Sequence, residues 1–248
     1  MSKDDFFVGW SAETPRADRR FLLGASLGLI AGGGVLGASL AMNRPPIGDG
    51  VWDQGAPRTL SGLLNRTPYP ILRTRGLDGD VRTVFLASSG KTAPEIDARY
   101  FDRAVDVSGT LITRGRNAMM AVADIEAVSE DFDAADLGAP PAIDRGPVML
   151  VGEILDAKCW FGAMRPGYGK AHKACAALCA RGGLPLAFCQ IGACGDSSGA
   201  PLLLDERGLA FGRAVLPLVA DPVILQGRLT AIGDVLQVRA SFNSIRRL

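Results

Sequence analysis

All five cysteines and the single histidine of the 248-residue chain fall between Cys159 and Cys194. Lys170–Arg181 is Ala-rich, lacks β-branched residues and stops at Gly182-Gly183, which predicts a short helix with a glycine C-cap. His172, Cys175 and Cys179 are spaced three and four apart, so they share one face of it. Cys159 lies beyond the turn Met164-Arg165-Pro166-Gly167-Tyr168-Gly169 and can fold back onto that face. Three thiolates and an imidazole make a Cys3His set, suited to zinc or another thiophilic ion of tetrahedral preference. The same sulfurs allow a second chemistry. In an oxidising compartment Cys159 would pair with Cys175 or Cys179, and Cys189 with Cys194, leaving one thiol. A redox-active thiol is the third alternative, although Cys-x-x-Cys spacing is absent, as is the Cys-x-x-Cys-His of haem attachment. Asp156, three residues before Cys159, reads either as the outer partner that orients His172 or as a turn former and helix cap.

The residues Gly152-Glu153-Ile154-Leu155-Asp156-Ala157-Lys158-Cys159, then His172-Lys173-Ala174-Cys175-Ala176-Ala177-Leu178-Cys179, then Pro222-Val223-Ile224-Leu225-Gln226-Gly227-Arg228-Leu229, carry a pattern. Over residues 147–246 it resembles a group of small exported bacterial OB-like domains of unknown function. The resemblance implies a β-barrel and export, and marks Asp156, Cys159, His172, Cys175 and Cys179 as motif residues; Cys189 and Cys194 fall outside it.

Composition excludes more than it names. One histidine rules out sites that need two imidazoles, such as blue copper or a Rieske cluster. Twenty-seven Lys+Arg against twenty-six Asp+Glu give no footprint for a polyanion, so nucleic acid is not an expected partner. Glu153 and Asp156 sit three apart on an expected strand and face opposite sides, so they form no carboxylate pair. Gly90-Lys91-Thr92 resembles the end of a phosphate loop, but Phe85 stands where its first glycine belongs. Trp52, Pro68-Tyr69-Pro70 and Trp160-Phe161 could line a ligand groove, or pack a barrel end. No catalytic set emerges.

The elements that must hold these residues start with a membrane span. Phe21–Met42 is 22 residues without a charge, enough at about 1.5 Å per residue to cross a hydrocarbon core of about 30 Å. Arg16, Arg19 and Arg20 precede it and only Arg44 follows closely, which places residues 1–20 in the cytoplasm and the bulk in the periplasm of a bacterial inner membrane. Asp18-Arg19-Arg20-Phe21-Leu22-Leu23 resembles a twin-arginine signal; the arginines also fit a plain anchor, and cleavage after Ser39-Leu40-Ala41 would release a soluble protein. Gly24, Gly28 and Gly32, with Gly33 and Gly37, form small-residue faces on which a second membrane helix could pack.

Beyond a linker at 43–57, short β-rich runs predict a mainly β protein of two OB-like units, at 58–128 and 148–248, joined by an acidic Pro-rich linker at 129–147. The expected strands are Arg58–Leu64, Val81–Ala87, Ala104–Thr113 and Ala118–Val128, then Val148–Leu155, Pro201–Asp205, Pro222–Ala231 and Val235–Ile245. Gly62 and Gly109 in the first unit parallel Gly152 and Gly227 in the second. The separations are 47 and 75 residues, and the extra length falls on a Cys/His-rich helical insertion at 159–195. Together these features predict a membrane-anchored, non-catalytic accessory subunit or assembly factor, docked through its helix and β units on a larger membrane complex such as a respiratory one. A metal or electron carrier using Cys159, His172, Cys175 and Cys179 is one alternative, and a periplasmic ligand-binding module another.

Overall fold

The computed structural model describes residues 15–43, 48–128, 131–195 and 200–248. Residues 1–14 of the expected cytoplasmic segment, 44–47 and 129–130 of the two expected linkers, and 196–199 lie outside the described residues. The chain divides into an N-terminal unit and a β body that begins at Ile47. In the first, α1 (Arg16–Met42) buries none of its residues. It is long and apolar enough to cross a membrane, a test that a signal sequence also passes. A Cβ added at Gly24, Gly28, Gly32, Gly33 or Gly37 would meet nothing within 4 Å, so both small-residue faces stand open.

The β body contains two barrels with one topology. The first is built from β2 (Arg58–Asn65), β3 (Ile71–Arg75), β4 (Val81–Ala87), β5 (Arg103–Arg114) and β6 (Asn117–Ala127), preceded by β1 (Val51–Trp52) on the outer edge of β5. Its strands run β2-β3-β4-β6-β5 and close back on β2, with β4 and β6 parallel and the other pairs antiparallel. The second uses β7 (Ile143–Asp156), β8 (Leu186–Gln190), β9 (Leu202–Leu204), β10 (Pro222–Ile232) and β11 (Val235–Arg239), with β12 (Ile245–Arg247) along β10. Its order β7-β8-β9-β11-β10 closes on β7 and again contains one parallel pair, β9 with β11.

Closure of such small barrels forces neighbouring backbones together, and four glycines absorb the crowding. Side chains at Gly62 and Gly152 would overlap the carbonyls of Arg73 and Cys189 on the second strands of their barrels. Side chains at Gly109 and Gly227 would overlap those of Ala121 and Arg239 on the fifth. The landmarks that parallel each other in sequence therefore occupy equivalent crossings.

Several boundaries differ from expectation, including the last expected strand, Val235–Ile245, which ends at Arg239. Each barrel has a second strand, β3 or β8, that lies outside the expected runs; β8 falls within the supposed insertion, which therefore ends at Pro185. β7 begins at Ile143, because Asp144 on its exposed half pairs with Arg228 of β10 across the ladder, so the acidic linker runs into a strand. The remainder of that linker is docked: Leu137 is buried, and Arg75 binds the Asp136 carboxylate and the Asp133 carbonyl. β1 likewise falls inside the first linker.

Each barrel has its own interior, Leu64, Leu72, Val107 and Met120 in the first and Ile154, Phe188, Val223 and Val238 in the second. A third apolar cluster joins them, with Phe85, Ile112 and Met119 packed against Leu155, Trp160, Phe161 and Leu202. Phe85 and Phe161 meet edge to face at 6.0 Å. Arg114, with its side chain 2% exposed, reaches from β5 to donate to the carbonyls of Trp160, Cys194 and Gly195 while lying 4.4 Å over the Trp160 ring. The aromatics Tyr69, Trp160 and Phe161 are thus buried in the core, with Phe161 also on the wall of a cavity beside Phe85 and Leu202.

Gly152→Ala is expected to destabilise the protein by about 1–3 kcal/mol, since the new methyl must displace a ladder strand, whereas Gly55→Ala, which meets nothing within 4 Å, should be neutral; denaturant melts followed by tryptophan fluorescence measure the difference. Tyr69 is buried beneath the second barrel, its hydroxyl accepting the Leu186 N–H, and loss of solvent pushes its pKa up to about 12. The unfolded chain gives up that proton near pH 10, so this contribution to stability is complete below pH 10 and is lost as pH rises towards 12. Subtracting the alkaline absorbance titration of Tyr69→Phe from that of the wild type should show the phenolate emerging only at the upper end of that window.

Candidate metal centre

The buried end of β7 sets the site. Asp156 is wholly buried, and its two carboxylate oxygens take separate tasks. Oδ1 accepts the backbone N–H of Cys159 at 2.8 Å, capping the wide helical turn Cys159–Ala163. Oδ2 lies 2.8 Å from Nε2 of His172, whose side chain is also fully buried. One residue therefore performs both roles that its position suggests, cap and imidazole partner. The turn between Cys159 and His172 folds back tightly, with Gly167 so close to the Cys159 carbonyl that no side chain would fit.

His172 ends a single 3-10 turn, Lys170–His172, and α2 (Lys173–Arg181) continues from it. Cys175 and Cys179 are one helical turn apart on that helix. Gly182 and Gly183 close it, their N–H groups bonded to the carbonyls of Leu178 and Ala180 at 2.9 and 3.1 Å and Gly183 left-handed at φ 85°. The Cys159 Sγ lies 3.7 Å from the Cys175 Sγ, and the three cysteines are all unbridged. Ligand atoms of Cys159, His172 and Cys175 lie within 4.8 Å of one another, as do those of Asp156, Cys159 and Cys179, so two triads share Cys159 and either could hold a metal ion. Cys189 and Cys194 are kept apart as a disulfide pair with Cα atoms 5.3 Å apart, within the normal bridging range. Cys194 also faces Glu153, whose carboxylate takes the Gly169 N–H through both oxygens and is pushed up by burial.

The sulfurs share their protons unequally. Hydrogen bonding to Cys179, burial and the Asp156 charge hold the Cys159 thiol well above its ordinary range. The bond from Cys159 lowers Cys179. Of that pair Cys159 is the harder sulfur to deprotonate and Cys179 the easier.

Three contributors have no counterpart in the expected ligand set. Lys158, buried next to Cys159, donates to the carbonyls of Ser88, Ser89 and Gly90 at 2.6, 3.0 and 2.6 Å and lies 4.9 Å over the Trp52 ring. Burial lowers its pKa. Those carbonyls belong to a loop of the first barrel, which Lys158 clamps so that Lys91 reaches the Cys175 Sγ at 2.7 Å. The Cys175 contact is the main reason that the Lys91 pKa rises. The loop is tied again where Ala93 N–H bonds the Gly182 carbonyl at 2.8 Å. The third contributor is Met164, whose Sδ stands 3.0 Å from His172 Nδ1. Lys91 sits in the tripeptide that resembled a phosphate loop, and Met164 opens the turn over which Cys159 folds back; neither spacing marks them as neighbours of a thiol or an imidazole.

In metal-free, reduced protein, Lys158→Met should unpin the 88–90 loop. Losing a charge-assisted set of bonds worth about 1–2 kcal/mol would raise loop opening, and with it the rate of Cys175 modification by a thiol reagent, about tenfold; unchanged kinetics in folded protein would contradict the clamp. Compared with family models, curated proteins and solved structures, the chain matches none at a significant level.

Proposed function

We propose that this is a membrane-tethered periplasmic protein of two OB-like barrels whose second barrel holds a thiophilic metal ion among Cys159, His172, Cys175 and Cys179, serving a larger membrane complex as an accessory metal-binding subunit. The 3.7 Å separation of the Cys159 and Cys175 sulfurs carries the reading. Two thiolates on a tetrahedral ion at metal–sulfur distances of about 2.3 Å lie about 3.8 Å apart, whereas a disulfide needs about 2.0 Å. Two unbridged thiols, Cys159 and Cys175, within 4.8 Å of a buried imidazole that is itself oriented by a carboxylate, with the third thiol, Cys179, beside Cys159 and Asp156, fit what metal sites of this type require.

Other observations support the remaining parts. The shared strand order with its one parallel pair favours an OB-like assignment for both barrels. Three arginines before the apolar helix, and a disulfide pair at Cys189 and Cys194, fit a β body on the oxidising side of the membrane. The open glycine faces of α1 fit a helix that packs against another in lipid. Within this reading the metal site is an ordering or carrier centre, and the role of the subunit is assigned through its partner.

Protein purified in mild detergent from its own host should contain one thiophilic metal ion per chain, and three thiols that react only after chelation. Its retention in membranes after a salt wash and co-purification with integral membrane subunits complete the expectation. Metal-free protein with Cys159 bridged to Cys175 would overturn the metal assignment, and release by osmotic shock would overturn the tether.

A further inference from the structure

We infer that Met164 is a ligand of this centre and that its preferred ion is monovalent copper. The inference rests on the metal-site reading above and extends it to the identity of the ion. His172 is fully buried, and the Asp156 carboxylate takes up Nε2. With Nε2 engaged by Asp156, Nδ1 is the ring nitrogen left for another partner. The atom facing Nδ1 at 3.0 Å is the Met164 thioether. A thioether sulfur is a poor hydrogen-bond acceptor and offers no proton, so it cannot satisfy a buried imidazole nitrogen. A cation bound by both atoms can: with bonds of about 2.0 Å to nitrogen and about 2.3 Å to sulfur, two ligands at the tetrahedral angle stand about 3.5 Å apart, so the 3.0 Å contact has only to open by about half an ångström to admit the ion.

Met164 belongs to none of the three apolar clusters. The residue is 40% exposed, and it follows directly on the Cys159–Ala163 turn whose Trp160 and Phe161 fill the core. The exposure gives the centre an edge open to solvent, the side from which an ion could enter. A set of thiolates, one imidazole and one thioether is soft. Soft sulfur ligands select monovalent copper, whereas zinc is ordinarily bound by thiolate, imidazole and carboxylate without a thioether. Cys159, Cys175 and His172 are then the ligands any thiophilic ion would use, and Met164 is the ligand that discriminates.

The test uses the full chain in detergent, reduced and anaerobic, titrated with copper(I) against a chromophoric copper(I) chelator and separately with cobalt(II) as a zinc probe. Met164→Leu keeps the volume and apolar character of an exposed side chain. It should weaken copper(I) binding tenfold or more and remove one sulfur from the copper X-ray absorption shell, while leaving cobalt(II) affinity and its thiolate charge-transfer band unchanged. Equal copper(I) affinity in wild type and variant would overturn the inference and leave the metal site standing. So would equal weakening of both ions, which would make Met164 a matter of shape. Absence of any cobalt or copper binding by the reduced wild type would overturn the metal site itself.

Discussion

The arrangement of sulfur and imidazole depends on one buried carboxylate. Asp156 ends a strand of the second barrel, and water reaches neither of its oxygens. An isolated carboxylate there would be costly, so its two hydrogen bonds are requirements of the fold as much as of the site. Because one bond goes to the backbone of Cys159 and the other to the ring of His172, the two ends of the intervening turn are fixed to a rigid strand end. The helix that starts from His172 then has no freedom over where Cys175 and Cys179 fall. Precision in the cluster is thus inherited from the barrel.

A second constraint comes from the neighbouring barrel. Lys158 neutralises the exposed backbone of a foreign loop, and that loop returns a second ammonium to the sulfur cluster. The charge on Lys91 is among the influences that lower Cys179, while Cys159 stays raised by its neighbours and its burial. The first barrel carries no cysteine, yet it contributes to the chemistry through backbone shape and one lysine.

Much of the β architecture was readable because it is written in local pattern: mid-strand glycines at parallel positions, β-branched runs and turn signals locate four strands of each barrel. The second strand of each was hidden for a physical reason. β3 carries Arg73, which is buried, and so breaks the apolar alternation; β8 is a five-residue strand buried at its first four positions, so it has no alternation to show. Acidic and proline-rich composition concealed the start of β7, since an exposed ribbon paired by Asp144 and Arg228 has no apolar face to announce it. Helical spacing brought His172, Cys175 and Cys179 to view, but Lys91, Lys158 and Met164 act across tertiary contacts that no spacing encodes.

The loop from Ser88 to Thr92 bears on how the polypeptide can be divided. A fragment starting at β7 would retain every cysteine and the histidine, yet it would leave Lys158 without its three carbonyl acceptors and the flank of Cys175 bare. It would also strip the cover from Trp160 and Phe161. The sulfur-bearing half is therefore no independent module: its thiols and imidazole are local in sequence, but their shelter is borrowed from residues some seventy positions upstream.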